Sequence, residues 1–199
     1  LGIVAKVNRI ILREDDRIKM LDGVCRILVE HRDYIFAWVG LNDRDTGTLY
    51  LAASSGPASD LKEKFSLPAD ATPEFGPRCA VEAIKTNSPF LIDGTEDEDP
   101  CPDCPTRLDF PDRTTLAIPL ARNGTKFGVF VVHATGPGIF HRQERALLKD
   151  LAENVAYALE KLEADEGGKS RLEEVTLLNE ITRVALQETT IGDALPLLA

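Results

Sequence analysis

Three cysteines carry the chemistry the sequence offers most directly. Cys101-Pro102-Asp103-Cys104-Pro105 sets two thiols with two residues between them, and Cys79 lies upstream at the start of an expected short helix. Two sulfurs at that spacing can share one ion, and soft thiolate suits zinc, an iron–sulfur cluster or copper(I). A strand expected at Pro89–Asp93 separates Cys79 from the pair; a strand that enters a sheet can return the chain to the same end, so the three sulfurs can converge. The expected metal ligands are Cys79, Cys101 and Cys104. In a zinc site, Asp99, Asp103, His141, water or a bound signal would complete the set. The same residues also permit a reversible Cys101–Cys104 disulfide with Cys79 as exchange partner, or three unligated thiols along a half-buried loop. A helix N-terminus favours thiolate at Cys79. Cys25 differs: among Val24, Leu28 and Val29 it reads as a small buried hydrophobe.

The other reactive side chains are scattered. His31 ends a helix, His133 alternates with Val132 on a strand and can face core or solvent, and His141 opens a helix as an exposed residue. Glu96-Asp97-Glu98-Asp99 reads as a solvated loop. Glu30, Glu82 and Glu144 are carboxylates with no implied partner. There is no Ser-His-Asp order, nucleophile elbow, Walker loop or HExxH. The chain is therefore expected not to be an enzyme.

Positioning these residues falls to a regular series of elements. Apolar residues at helical spacing run from Ile3 to Val29, through the charged run Arg13-Glu14-Asp15-Asp16-Arg17, which reads as a solvated stretch or a break. Tyr34–Leu41 and Thr48–Ser54 read as a hairpin turning at Asn42–Gly47. A short helix near Asp60–Phe65 and a proline-punctuated segment follow, then a helix over Cys79–Thr86 closed by Asn87, the strand Pro89–Asp93, and a long loop from Gly94 to about Asp112. Thr114–Ala121 and Lys126–Ala134 form a second hairpin about Asn123-Gly124, a strong turn signal. A helix striped by Leu147, Leu148, Leu151, Val155, Leu159 and Leu162 runs from His141 to about Glu166; Gly167-Gly168 interrupts it, and Leu172–Ala185 resume the spacing. The expected fold is α+β: a mainly antiparallel sheet of five to six strands with helices outside.

Composition narrows the partners. Of 199 residues, 43% are hydrophobic and 28% charged, the balance of a folded domain. Lys+Arg number 23 against 33 Asp+Glu, a net charge of -10, which disfavours nucleic acid and anionic membrane surfaces. No apolar run approaches the ~20 residues a membrane helix needs. The chain is expected to be a piece of a larger cytoplasmic protein, with any membrane segment lying elsewhere.

Several strings, taken with the element order, resemble a GAF domain over about residues 18–163. They are Val24–Glu30 running into Ala37–Leu41, Ala80–Thr86 before a proline-led strand, Thr115–Leu120 before Phe127–Val132, and Phe140 with Glu144 before Leu147-Leu148. The resemblance implies a sensory module of a bacterial signalling protein, of the sensor histidine kinase or diguanylate cyclase type, flanked by signalling helices at 1–17 and 164–199. The latter segment resembles the start of a second GAF domain. It implies a small ligand or metal between the sheet and the Cys79–Asp112 segment, with Trp38, Cys79 and Arg113 as ligand-binding residues. Trp38 shares a strand face with Phe36, and Arg113 matches an arginine that precedes the next strand in a CxxCP-bearing subgroup. Zinc or an iron-containing cofactor would be held by the cysteines. The Asn-Lys, Phe and Asp-Glu marks of the cyclic-nucleotide type are not matched at Asn123-Gly124, Phe140 and Glu144, and no cysteine adjoins a histidine as in the bilin type. A homodimer is expected through the terminal helices, because the apolar residues Leu172–Val184 have no sheet left to cover. A ligand-free dimerisation module is the alternative. A cysteine redox enzyme, like the methionine-sulfoxide reductases that share the GAF fold, is a third reading; their catalytic cysteine pattern is not matched.

Overall fold

The computed structural model describes residues 2–32, 34–57, 66–68, 77–93 and 113–194, with side chains through residue 168 except those of His31 and of 66–68. Cys101, Cys104 and the expected helix near Asp60–Phe65 lie outside the described residues.

The charged run breaks the first helical pattern in two. Helix α1 spans Ile3–Arg13 and helix α2 spans Arg17–His31. Asp16 makes the break by capping α2: its carboxylate accepts from the backbone N–H groups of Ile18 and Lys19 at 2.9 and 3.0 Å. Those otherwise orphaned donors, Lys19 foremost, hold the carboxyl below its usual range. Helix α1 lies on α2, with Ile10 against Gly23, and Asn154 donates to Asn8 Oδ1 at 3.1 Å.

The strands are β1 (Tyr34–Asp43), β2 (Thr48–Ser55), β3 (Ser66–Pro68), β4 (Phe90–Ile92), β5 (Arg113–Arg122) and β6 (Thr125–Thr135). They form one antiparallel sheet in the order β3-β2-β1-β6-β5-β4. The α+β expectation holds. The edge strand β3 falls in the segment read from sequence as merely proline-punctuated; three residues are too few for a periodic signal. Helix α3 (Arg78–Thr86) ends at Asn87 in the left-handed conformation, φ 50°. Helix α4 (Arg142–Ala194) runs through Gly167-Gly168, where an interruption is expected from sequence. A helical glycine weakens a helix by only about 1 kcal/mol. By contact density the chain divides into the units Leu1–Glu160 and Lys161–Ala199.

In the first unit, β1 and β6 are buried on both faces, which explains their unbroken apolar runs. Phe36, Trp38, Val129, Val131 and Ala117 share one face and pack with Leu49, Ile92 and the α3 residues Cys79, Ala80 and Ala83. The alternate residues Ala37, Val39, Phe130, Val132, Leu116 and Ile118 are buried as well. From α4, Leu148, Leu151, Val155 and Leu159 enter the core, each stabilising by roughly 1.5–3 kcal/mol. Cys25 is fully buried; burial, reinforced by Asp22, pushes its thiol up, so it behaves as the expected hydrophobe. Among the described residues no helix is long and apolar enough to cross a membrane.

Candidate functional site

The face of the sheet beneath α3 carries a polar group of residues inside an apolar surround. Among the described residues, the buried polar or charged side chains are Arg113, Thr114, Thr115 and His133, all on β5 and β6. Strand pairing arranges three of them in rows. Phe36 pairs with His133 and His133 with Thr115; Trp38 pairs with Val131 and Val131 with Ala117; Arg113 pairs with Thr135. Residues directly opposite one another in antiparallel strands share a face. Arg113, two residues from Thr115, is therefore on the same face, roughly 7 Å along the strand. Thr114 points the other way and donates to the carbonyls of Asp93 and Gly136 at 3.1 and 2.6 Å, pinning the start of β5 to the chain on either side.

The hydrogen bonds of this group have a fixed direction. Trp38 Nε1–H, which can only donate, lies 3.1 Å from His133 Nε2. His133 Nε2 is therefore the acceptor, and the neutral ring carries its proton on Nδ1. That nitrogen lies 2.8 Å from Thr115 Oγ1, so His133 donates and Thr115 accepts. Phe36 stacks on the imidazole at 5.9 Å between centroids and 26° between planes. Burial, and then the nearby charge of Arg113, push the His133 pKa down to about 3.

A pH dependence follows. The folded protein keeps this ring neutral, whereas the unfolded chain takes up a proton near 6.5. Stability contributed by His133 is complete above pH 6.5 and is lost as pH falls toward 3, by up to ~1.4 kcal/mol per pH unit. Denaturant unfolding at pH 7 and pH 5 should show a larger loss in the native protein than in His133→Phe. Long-range ¹H–¹⁵N spectra should show the Nδ1–H tautomer unchanged between those pH values; an imidazolium signal at pH 5 would contradict the assignment.

Of the residues expected to bind a ligand, Trp38 and Cys79 are 2% and 1% exposed and lie in one cluster, and Arg113 is 5% exposed on the same sheet face as Trp38. Among the described residues no group of three or more His, Cys, Asp or Glu is placed to hold a metal ion. His133 and Thr115 were not anticipated as site residues. The signal for them was a histidine that follows Phe127, Val129 and Val131 at one parity of β6, and a threonine that precedes Ala117 and Pro119 at one parity of β5.

At the far end of β1, Glu144 has the partners its sequence context did not reveal. Arg32 Nη2 donates to Glu144 Oε2 at 3.0 Å, and the Tyr34 hydroxyl donates to Oε1. Burial, and then the bonded carboxylate, push the Tyr34 phenol up. His141 is exposed, as expected, and its Nδ1 accepts from the Glu144 backbone N–H at 3.4 Å.

A family model described as GAF domain matches residues 14–160. No curated protein matches the sequence. Among solved structures, the GAF domain of a phosphoenolpyruvate-protein phosphotransferase from Coxiella burnetii aligns at TM-score 0.69 and 18% identity, covering 83% of this chain and 95% of that one. A free methionine-R-sulfoxide reductase from Neisseria meningitidis, solved with its substrate, aligns at TM-score 0.64 and 16% identity, covering 82% and 89%. Residues 122 to 287 of a methyl-accepting chemotaxis protein align at 0.63 and 15%, covering 78% and 96%. At these identities the likeness is one of fold. The Neisseria structure corrects one expectation: this fold also serves enzymes, so the absence of familiar catalytic motifs gives no ground for excluding catalysis, and the non-enzyme expectation is withdrawn.

Proposed function

Because the chain belongs to the GAF domain family, we propose that it is a sensory module that holds a small ligand against the sheet face beneath α3. The terminal helices of a homodimer would carry the occupied state onward. One observation supports this above the others. Buried polar side chains gather at one place, where Trp38, His133 and Thr115 form a directed hydrogen-bond chain beside Arg113. Burying a polar group without full hydrogen bonding costs about 1–3 kcal/mol. A face that served only as core would be filled by the apolar side chains that surround it. A ligand transmits a signal only if it binds two arrangements of the protein with different affinity.

Trp38 is the protein's single tryptophan and sits within this face, so its emission reads the site directly. A small-molecule fraction of boiled bacterial extract is expected to change Trp38 emission in the native protein and not in His133→Leu. If every fraction leaves the emission of the folded native protein unmoved, the face is plain core, and a ligand-free dimerisation module takes its place.

A further inference from the structure

The direction of the hydrogen-bond chain leaves one group over. Thr115 Oγ1 accepts from His133 Nδ1–H, because Trp38 occupies the other ring nitrogen as a donor. The hydroxyl cannot also donate to that nitrogen, since a neutral imidazole has one acceptor and it is used. The Thr115 O–H proton then has no acceptor among the described residues, although the side chain is only 1% exposed. A buried donor without an acceptor is costly, and native proteins rarely leave one unmatched. An oxygen atom of a ligand lying on this face would supply that acceptor.

Two further features give that acceptor a character. The guanidinium of Arg113 stands two residues along the same strand on the same face, 5% exposed, close enough for its charge to act on His133. A negative acceptor is favoured in that field and makes a stronger hydrogen bond than a neutral one. The rest of the face is apolar: Phe36, Ala117, Val129, Val131 and Ile92. Resting on the ligand-binding reading above, we propose that the Thr115 hydroxyl donates to an oxyanion carried on a compact apolar body, a carboxylate or a phosphate ester. Trp38 and His133 position that donor: the indole sets the tautomer, and the tautomer turns the hydroxyl proton outward.

The test uses benzoate, phenyl phosphate and neutral benzamide as probes, read by Trp38 emission and by the His133 ring ¹⁵N signals. Benzoate or phenyl phosphate should bind and shift both, and whichever binds more tightly assigns the anion. Benzamide should bind at least tenfold more weakly. Thr115→Val should weaken the preferred anion about tenfold or more, the loss of one charge-assisted hydrogen bond. Thr115→Ser, which keeps the hydroxyl, should restore most of it, and the His133 signals report whether each variant is folded. Equal affinity in the folded Thr115→Val protein, or benzamide binding as well as benzoate, overturns the proposal. If neither anion binds while an extract fraction still moves Trp38, the oxyanion inference fails and the ligand reading stands. If nothing moves Trp38, both fail.

Discussion

Gly128→Ala is expected to lower stability on the order of 3–4 kcal/mol and the melting temperature by roughly 10 °C. Gly128 sits in β6 with φ +156°, opposite Leu41 on one side and Leu120 on the other. A Cβ there would overlap the carbonyl oxygen of Gly40 and lie 2.9 Å from the Cα of Leu41. Both obstacles are backbone of a central strand, so no side-chain rotation relieves them. Gly124→Ala is the control. Its φ is +80°, in the Asn123-Gly124 turn, but a Cβ there meets nothing within 4 Å. Only the backbone conformation is penalised, by about 1–2 kcal/mol. Thermal or denaturant unfolding of the two variants separates the steric term from the conformational one. Equal losses would show that β1 and β6 yield at Gly128. The consequence reaches the site, because Gly128 lies at a register shift. Between Leu120 and Ala121 the pairing slips by one residue, leaving Phe127 as the extra residue on β6. A Gly128→Ala protein that folds should therefore show an altered His133 ring signal as well.

That slip is also why the site was only half legible in the sequence. Asn123-Gly124 announces a tight hairpin, with Arg122 opposite Thr125 as observed. Carried along the strands without a bulge, the same register would set Thr115 against Val132. With the bulge, Thr115 faces His133. A one-residue slip exchanges the two faces of a strand, so sequence alternation alone left His133 free to face core or solvent. Cys79 drew notice as a thiol at a helix start, and Trp38 and Arg113 through the family resemblance; the structure places all three in the buried interior of one sheet face. The strands β1, β2, β5 and β6 and the helices announced themselves by period and turn chemistry. The break at Asp16 reads, once seen, as an ordinary cap inside a charged run. The pairing of Glu144 with residues more than a hundred positions away has no local signature, since only the assembled sheet brings the end of α2 beside the start of α4.

Glu144→Ala is expected to lower stability by about 2–3 kcal/mol, more than an exposed ion pair would. The carboxylate is 13% exposed and holds two donors from different elements: Arg32 beyond α2 and Tyr34 opening β1. Arg32, at 36% exposed, can recover water for most of its charge, although its Nε is buried without a hydrogen-bond partner among the described residues. Tyr34 cannot recover water in the same way, because it is 5% exposed, with its ring against Phe140 at 5.8 Å. Deleting Glu144 strands a buried phenol, whereas Tyr34→Phe removes the donor and leaves the ion pair, for a loss of about 1 kcal/mol. The two changes should not add. In the Glu144→Ala background, Tyr34→Phe should be neutral or stabilising, because the stranded hydroxyl is then gone, giving a coupling on the order of 1–2 kcal/mol in a double-mutant cycle. Strict additivity would show the phenol finding another partner. The position of this bond gives the cycle a functional use. Tyr34, Phe36 and Trp38 belong to one strand; Trp38 and Phe36 touch the His133 ring, and Tyr34 grips the first turn of α4. A ligand that shifts the strand at one end acts on that grip at the other. The proposed sensory role therefore requires that the preferred anion bind with altered affinity in Glu144→Ala, whose partner Tyr34 lies roughly 13 Å along the strand from Trp38. Unchanged affinity would separate the site from α4 and remove this route for a signal.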